Sequence, residues 1–287
     1  MEPGFKTIAD LFAVAQPSGI EVQSPARKKE GKSLQESEEL GRQSLADGDF
    51  QAAIRHFKDA VAKRDPSDIE SRIDLAGAYD YGDQYPQALR QYKEALKIRK
   101  DSPEPHVGVS DLYRRHGRFR DSIAKLEEAI ELDPENAYLR IKLAEVLRDA
   151  GEPKRALLAA QGAVIAKPED PFYHYWIGDL LIQMKRNEEA LDSLRAAIEL
   201  SPGDDFLYLR ASVAFWRVGR KQEAIKAVRL ASDLDPAKHL YHGLLGILLQ
   251  ESGLLEEAAL ESERAEKMDR YDHDLLGRVL EEMGIED

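Results

Sequence analysis

The stretch AIELDPENAY (129–138) joins the end of one apolar-spaced segment to the start of another through an Asp-Pro pair. The same grammar returns at 163–172 (AVIAKPEDPF), 197–206 (AIELSPGDDF) and 231–240 (ASDLDPAKHL), so Pro134, Pro168, Pro202 and Pro236 stand 34 residues apart. Proline has no amide proton and clashes with the preceding turn, so each marks a place where a helix cannot continue. A fixed internal period of this length has to be resolved before the chain is divided into domains.

Aligning on the prolines brings three columns of small residues into register. Five residues before each proline stands an alanine, and the column reads Ala60, Ala95, Ala129, Ala163, Ala197, Ala231 and Ala265. Seven residues earlier it reads Ala53, Ala88, Ser122, Ala156, Ala190, Ala224 and Ala258. Twelve residues earlier again it reads Gly41, Ala76, Ser110, Ala144, Gly178, Ser212 and Gly246. Small side chains at fixed places mark close helix–helix approach. Between the columns apolar residues recur at helical spacing, as in Leu143, Ala144 and Leu147, then Ala156, Leu157, Ala160 and Ala163. A turn splits each unit at RHGRF (115–119), DAGEP (149–153), RVGRK (217–221) and ESGLL (251–255), where glycine lets a helix end in a left-handed conformation. Each unit therefore reads as two antiparallel helices, and the proline separates one hairpin from the next.

These residues resemble the tetratricopeptide repeat (TPR) family, a 34-residue helix-turn-helix with Leu-Gly-x-x-Tyr in its first helix and Ala, Phe, Ala and Pro in its second. The third unit matches through Ser110, Tyr113, Gly117, Phe119, Ser122, Leu126, Ala129 and Pro134, and the second through Leu75, Ala76, Tyr79, Tyr85, Ala88, Tyr92 and Ala95. Departures are Lys100 and Arg270 in the proline place, and Pro66 one place late. The resemblance implies an all-α, right-handed superhelical solenoid of about seven TPR units plus a C-terminal capping helix. The units lie near 34–68, 69–102, 103–136, 137–170, 171–204, 205–238 and 239–272. An RNA-reading helical repeat with a 35-residue period fits worse, because the steps are 34 and the charge has the wrong sign.

Both ends fall outside the period. Residues 1–33 contain a short amphipathic segment, with Phe5, Ile8, Leu11 and Phe12 on one face, followed by the polar stretch QPSGIEVQSPARKKEGKS, which reads as a linker. The amphipathic segment is expected either to remain unattached or to dock, into the chain's own groove or onto a partner. Residues 273–287 read as a capping helix with Leu275, Leu276, Val279, Leu280 and Met283 on one face and Asp272 or Asp274 as its N-cap.

The 287 residues carry a formal net charge of −13, which argues against nucleic acid as a partner held through its phosphates. The absence of cysteine removes disulfides, thiolate metal sites and a cysteine nucleophile, and fits a reducing compartment. The N-terminus reads poorly as a secretory leader, and no apolar run is long enough to span a membrane, so the expected location is cytoplasmic. No phosphate loop, nucleophile elbow or metalloprotease motif occurs. His239 and His242, at i, i+3, have metal-ligand spacing, but His106, His174 and His242 all occupy the fourth place of a unit, where the family buries a large side chain. The expectation is therefore no enzyme, no cofactor and no metal.

The resemblance also implies that first helices line a concave face at the second, fifth, sixth, ninth, twelfth and thirteenth places of each unit. In the fourth unit this selects Tyr138 and Lys142, in the fifth Phe172, Tyr175 and Trp176, in the sixth Phe206, Arg210, Trp216 and Arg217, and in the seventh Leu244. Aromatics flanked by arginine have hot-spot composition, although Phe172 and Phe206, near helix starts, serve equally well as packing between repeats. The family's two-carboxylate clamp for chaperone tails is missing, with Glu38, Arg42, Ile73 and Gly77 at its positions. The expected function is a protein-interaction scaffold or adaptor binding a protein or peptide segment on the C-terminal concave face, without nucleic acid or membrane insertion. The alternatives are a self-associating structural subunit (a homo-oligomer) and an accessory subunit of a larger enzyme or secretion complex.

Overall fold

The structure is a computed structural model that describes residues 30–268 and 273–285. The N-terminal segment with Phe5, Ile8, Leu11 and Phe12, and the N-cap Asp272, lie outside the described residues. Among those residues there are fifteen α-helices and no strand. Fourteen form seven hairpins: α1 (Glu30–Ala46) with α2 (Phe50–Lys63), α3 (Glu70–Tyr81) with α4 (Tyr85–Ile98), and α5 (Glu104–Arg115) with α6 (Phe119–Leu132). The series continues with α7 (Ala137–Asp149) and α8 (Pro153–Ala166), α9 (Pro171–Gln183) and α10 (Asn187–Leu200), and α11 (Asp205–Arg217) and α12 (Lys221–Leu234). The last hairpin is α13 (His239–Glu251) with α14 (Leu255–Glu266), and α15 (His273–Met283) follows. Because α1 begins at Glu30, the last residues of the stretch read as linker are helical.

Each first helix packs on its own second helix, and each second helix on the first helix of the next hairpin. First helices also touch directly, α3 with α5 and α9 with α11, which makes them the inner layer of the solenoid. Close approach rests on the small columns: Ala60, Ala95, Ala129, Ala163, Ala197 and Ala231 are fully buried, as are Ser110 and Ser122. At Gly178 a methyl group would stand 2.7 Å from Leu194 Cγ, so only glycine lets α9 and α10 meet there.

The hairpin turns close as the glycines require. Gly117, Gly151, Gly219 and Gly253 all have positive φ, between 69° and 78°. After them the chain turns back with 2.8–2.9 Å bonds from the Arg118, Glu152, Arg220 and Leu254 amides to carbonyls five residues earlier. Asp83 and Lys185 hold the same left-handed place in the α3–α4 and α9–α10 hairpins, which have no glycine at that position.

The fourth place of the repeat has a second use that periodicity hides. Arg140, His174, Tyr208 and His242 each reach back six residues to the carbonyl of Pro134, Pro168, Pro202 or Pro236, at 2.8–3.3 Å. A chemically varied column thus ties α7, α9, α11 and α13 each to the loop before it. The expectation that His174 and His242 are present only for packing is corrected, because both also bond that carbonyl. His106 pairs with Glu128 at 3.1 Å.

The apolar core has two parts. One gathers residues from Ala53 to Leu112 across α2–α5, and the other runs from Ile123 to Met283 across α6–α15. Between them, where α5 crosses α6, Ser110 Oγ and Ser122 Oγ lie 2.7 Å apart and fully buried.

Candidate functional site

The inner layer carries charge in its N-terminal half, and those charges pair between successive hairpins. Arg115 of α5 meets Asp80 of α3 at 2.7 Å, and Lys142 of α7 meets Asp111 of α5 at 2.7 Å. Arg114 of α5 bridges Glu145 at 2.9 Å and Asp149 at 2.6 Å, both on α7. Burial disfavours the Lys142 ammonium, yet Asp111 and Glu145 outweigh it and hold its pKa above the ordinary value. Arg148 of α7 then lies over the Trp176 ring of α9, 4.9 Å from its centre. This ladder sets the rotation of each hairpin against the next and uses most of the charge that a ligand would otherwise meet.

From α9 onward the layer turns apolar, and a helix covers it. Helix α15 makes its principal contacts with α11 and α13, the inner helices of the last two hairpins. Leu276, Val279, Leu280 and Met283 are buried there, while Asp274, Gly277, Arg278 and Glu281 face outward. The seat is shaped for it: a methyl group on Gly243 of α13 would stand 2.8 Å from Leu276 Cδ2.

Two arginines of α11 hold its polar end. Arg210, 5% exposed, donates to Asp179 of α9 at 2.6 Å and to Glu282 of α15 at 2.7 Å. Burial alone would lower its pKa, but the carboxylates of Asp179 and Glu282 prevail and hold it raised. Arg217 donates to the Ile182 carbonyl in the last turn of α9 at 2.7 Å and, through Nε, to the Glu282 carbonyl in the last turn of α15. It therefore bridges two helix C-termini, where carbonyls lack intrahelical partners and cations are favoured. The neighbouring α15 carbonyls of Leu280 and Glu281 are satisfied by the Ile285 and Gly284 amides, and that of Glu282 accepts from Arg217.

The residues selected from sequence divide accordingly. Tyr138 is open, 53% exposed. Phe172, Phe206, Trp216 and Arg217 are half-buried; the Phe206 ring stands edge-on to Tyr175 at 5.7 Å, and Lys221 lies over the Trp216 ring. Lys142 is engaged by Asp111. Tyr175, Trp176, Arg210 and Leu244 are buried, which corrects the expectation that they face solvent. The reason is tertiary: the inner positions of adjacent hairpins pack on one another, and α15 roofs the last two. Burial, with the charge of Asp179 adding to it, pushes the Tyr175 phenol up, so it stays protonated. Sequence reading did not single out Glu282 or Gly243 as parts of this site. Glu282 was visible as an acid beside the apolar face of 273–283, but nothing local joins it to Arg210, 72 positions away.

Sequence models described as tetratricopeptide repeat match residues 44–107, 110–171 and 171–204, together more than half of the chain. Among solved structures, the chain is similar to MamA 41-end from Desulfovibrio magneticus RS-1, with 21% identity, a TM-score of 0.53, and 58% of this chain and 95% of that one covered. It is similar to pilF of Pseudomonas aeruginosa, with 16% identity, a TM-score of 0.54, and coverage of 79% and 99%. The Cut9-Hcn1 hetero-tetramer of APC/C follows at 17% identity and a TM-score of 0.51, covering 77% of this chain and 46% of that one. These likenesses are of fold. No protein of curated function matches the sequence.

Proposed function

Because this chain belongs to the tetratricopeptide repeat family, which in general serves protein interaction rather than catalysis, we propose that it is a scaffold binding a peptide or protein segment on the concave face of its C-terminal repeats. The observation that carries the reading is that the inner surface of α11 and α13 already accommodates an amphipathic helix, with four apolar side chains buried and its carboxylate on Arg210. Helix-in-groove binding uses this division of labour, with apolar anchors at helical spacing and one ion pair for register. Tyr138, Phe172 and Phe206 extend the apolar strip beyond the covered part and remain at least partly exposed. No described helix is long and apolar enough to cross a membrane.

Site-specific photo-crosslinking in native extract tests this within one hairpin. A benzophenone side chain at Tyr138 samples the concave side; at Leu158 or Ile165, 68% and 82% exposed on α8, it samples the outer side. The reading expects a defined partner to be captured from 138 and not from 158 or 165. Capture only from the outer positions would move the site to the convex face. Capture of a second copy of the chain from 138 would favour self-association.

A further inference from the structure

Taking the concave surface as the binding face, we propose that α15 occupies in cis the seat of a partner helix, which has to displace it. The partner's chemistry is written in the seat. It is an amphipathic helix with apolar residues at i, i+3, i+4 and i+7 and a carboxylate at i+6, the pattern of Leu276, Val279, Leu280, Met283 and Glu282. Its polarity is set as well, because Arg217 takes a carbonyl from the last turn and so receives a C-terminal end.

Three observations separate this from a helix that only closes the stack. In the repeat pattern a following helix packs on the preceding second helix, which here would be α14; α15 instead lies across α11 and α13, bridging two hairpins on the inner layer. Its polar fixtures are specific, Arg210 to the Glu282 side chain and Arg217 to the Glu282 carbonyl. The groove floor leaves a place for Leu276 over Gly243, where an added methyl group would stand 2.8 Å from Leu276 Cδ2 and force one of them to shift. The helix is also built to exchange. It has eleven residues, too short to be stable as an isolated helix. One face is solvated, and the helix is covalently joined to the solenoid it covers. A short tether supplies an effective concentration on the order of millimolar, so the seat stays filled until a partner of higher affinity arrives, and the partner's apparent affinity is reduced by the closed fraction.

The test uses the full chain and a fluorescein-labelled synthetic peptide of residues 273–285, read by fluorescence anisotropy. The release variant Val279→Asp/Leu280→Asp alters α15 and leaves every residue of the seat intact. It is expected to bind the peptide at least ~100-fold more tightly than wild type, following the tether concentration. A peptide with Glu282→Arg should bind that variant at least ~10-fold more weakly than the native peptide, the scale of a lost charge-assisted pair. Adding Gly243→Leu should remove binding by filling the Leu276 place. Circular dichroism and melting establish that the solenoid is folded, and Glu282→Arg in the chain itself is a second release variant that keeps the apolar face. Equal peptide affinity for wild type and both folded release variants, or no binding to either variant, overturns the inference. A partner captured at 138 equally well by wild type and released chains also overturns it, while leaving the concave surface as the binding face.

Discussion

His106 shows how one titratable side chain is tuned by its place in a repeat. It sits 8% exposed at the start of α5, with Nδ1 3.1 Å from a Glu128 oxygen. Burial lowers its pKa from the ordinary 6.5, the Glu128 charge opposes this in part, and Lys125 adds to the lowering. In the unfolded chain the ring takes up its proton near pH 6.5; in the folded chain it does so only at lower pH. The folded state therefore binds fewer protons in that window, and stability rises with pH there. The contribution is complete above about pH 6.5 and is lost as pH falls through the folded value. Melting temperatures between pH 7 and 5 should fall more for wild type than for His106→Gln, and parallel curves would show that the ring does not titrate against stability. The sequence shows that a histidine occupies this place; its partner Glu128 comes from the other helix of the hairpin.

At the scale of the helix pair, the small columns decide how closely α5 and α6 approach, and their composition changes there from alanine to serine. Ser122 Oγ bonds both Ser110 Oγ, at 2.7 Å, and the Ser110 carbonyl, at 2.9 Å. The two hydroxyls are therefore not equivalent. Ser110→Ala leaves Ser122 with its carbonyl and should cost less than about 1 kcal/mol. Ser122→Ala strands the Ser110 hydroxyl in a dry contact and should cost about 1–3 kcal/mol. Urea titration of the two single variants and the double variant checks the order; equal losses would mean that Ser110 finds another acceptor within its helix. The columns were legible because steric demand repeats with the period. The asymmetry was not, because it depends on which hydroxyl lies over a carbonyl.

Over the whole molecule, contacts run between neighbouring hairpins, so stability is a sum of local parts joined at interfaces. The core is parted at the serine pair, and the segment on the C-terminal side gains α15. Truncating Leu209, fully buried in α11, should cost about 2–5 kcal/mol. The resulting loss of hydrogen-exchange protection should be confined to α9–α15, with α1–α4 keeping wild-type rates. Loss spread evenly over the chain would show a single cooperative unit instead of a jointed one.

The period, the small columns and the turn glycines determined the helical hairpins and their stacking from sequence alone, because each is a local steric or backbone requirement repeated at fixed spacing. The amphipathic face of 273–283 was equally readable. Where that face goes was decided only in three dimensions. Arg210 meets Glu282 and Arg217 reaches the end of α15 because stacking the hairpins builds an inner surface with a glycine-floored seat, and a helix joined after the last unit can turn back into it. The same packing buries Tyr175, Trp176 and Leu244. Placement within a repeat tells which layer a residue joins; whether that layer meets solvent depends on what the rest of the chain lays over it.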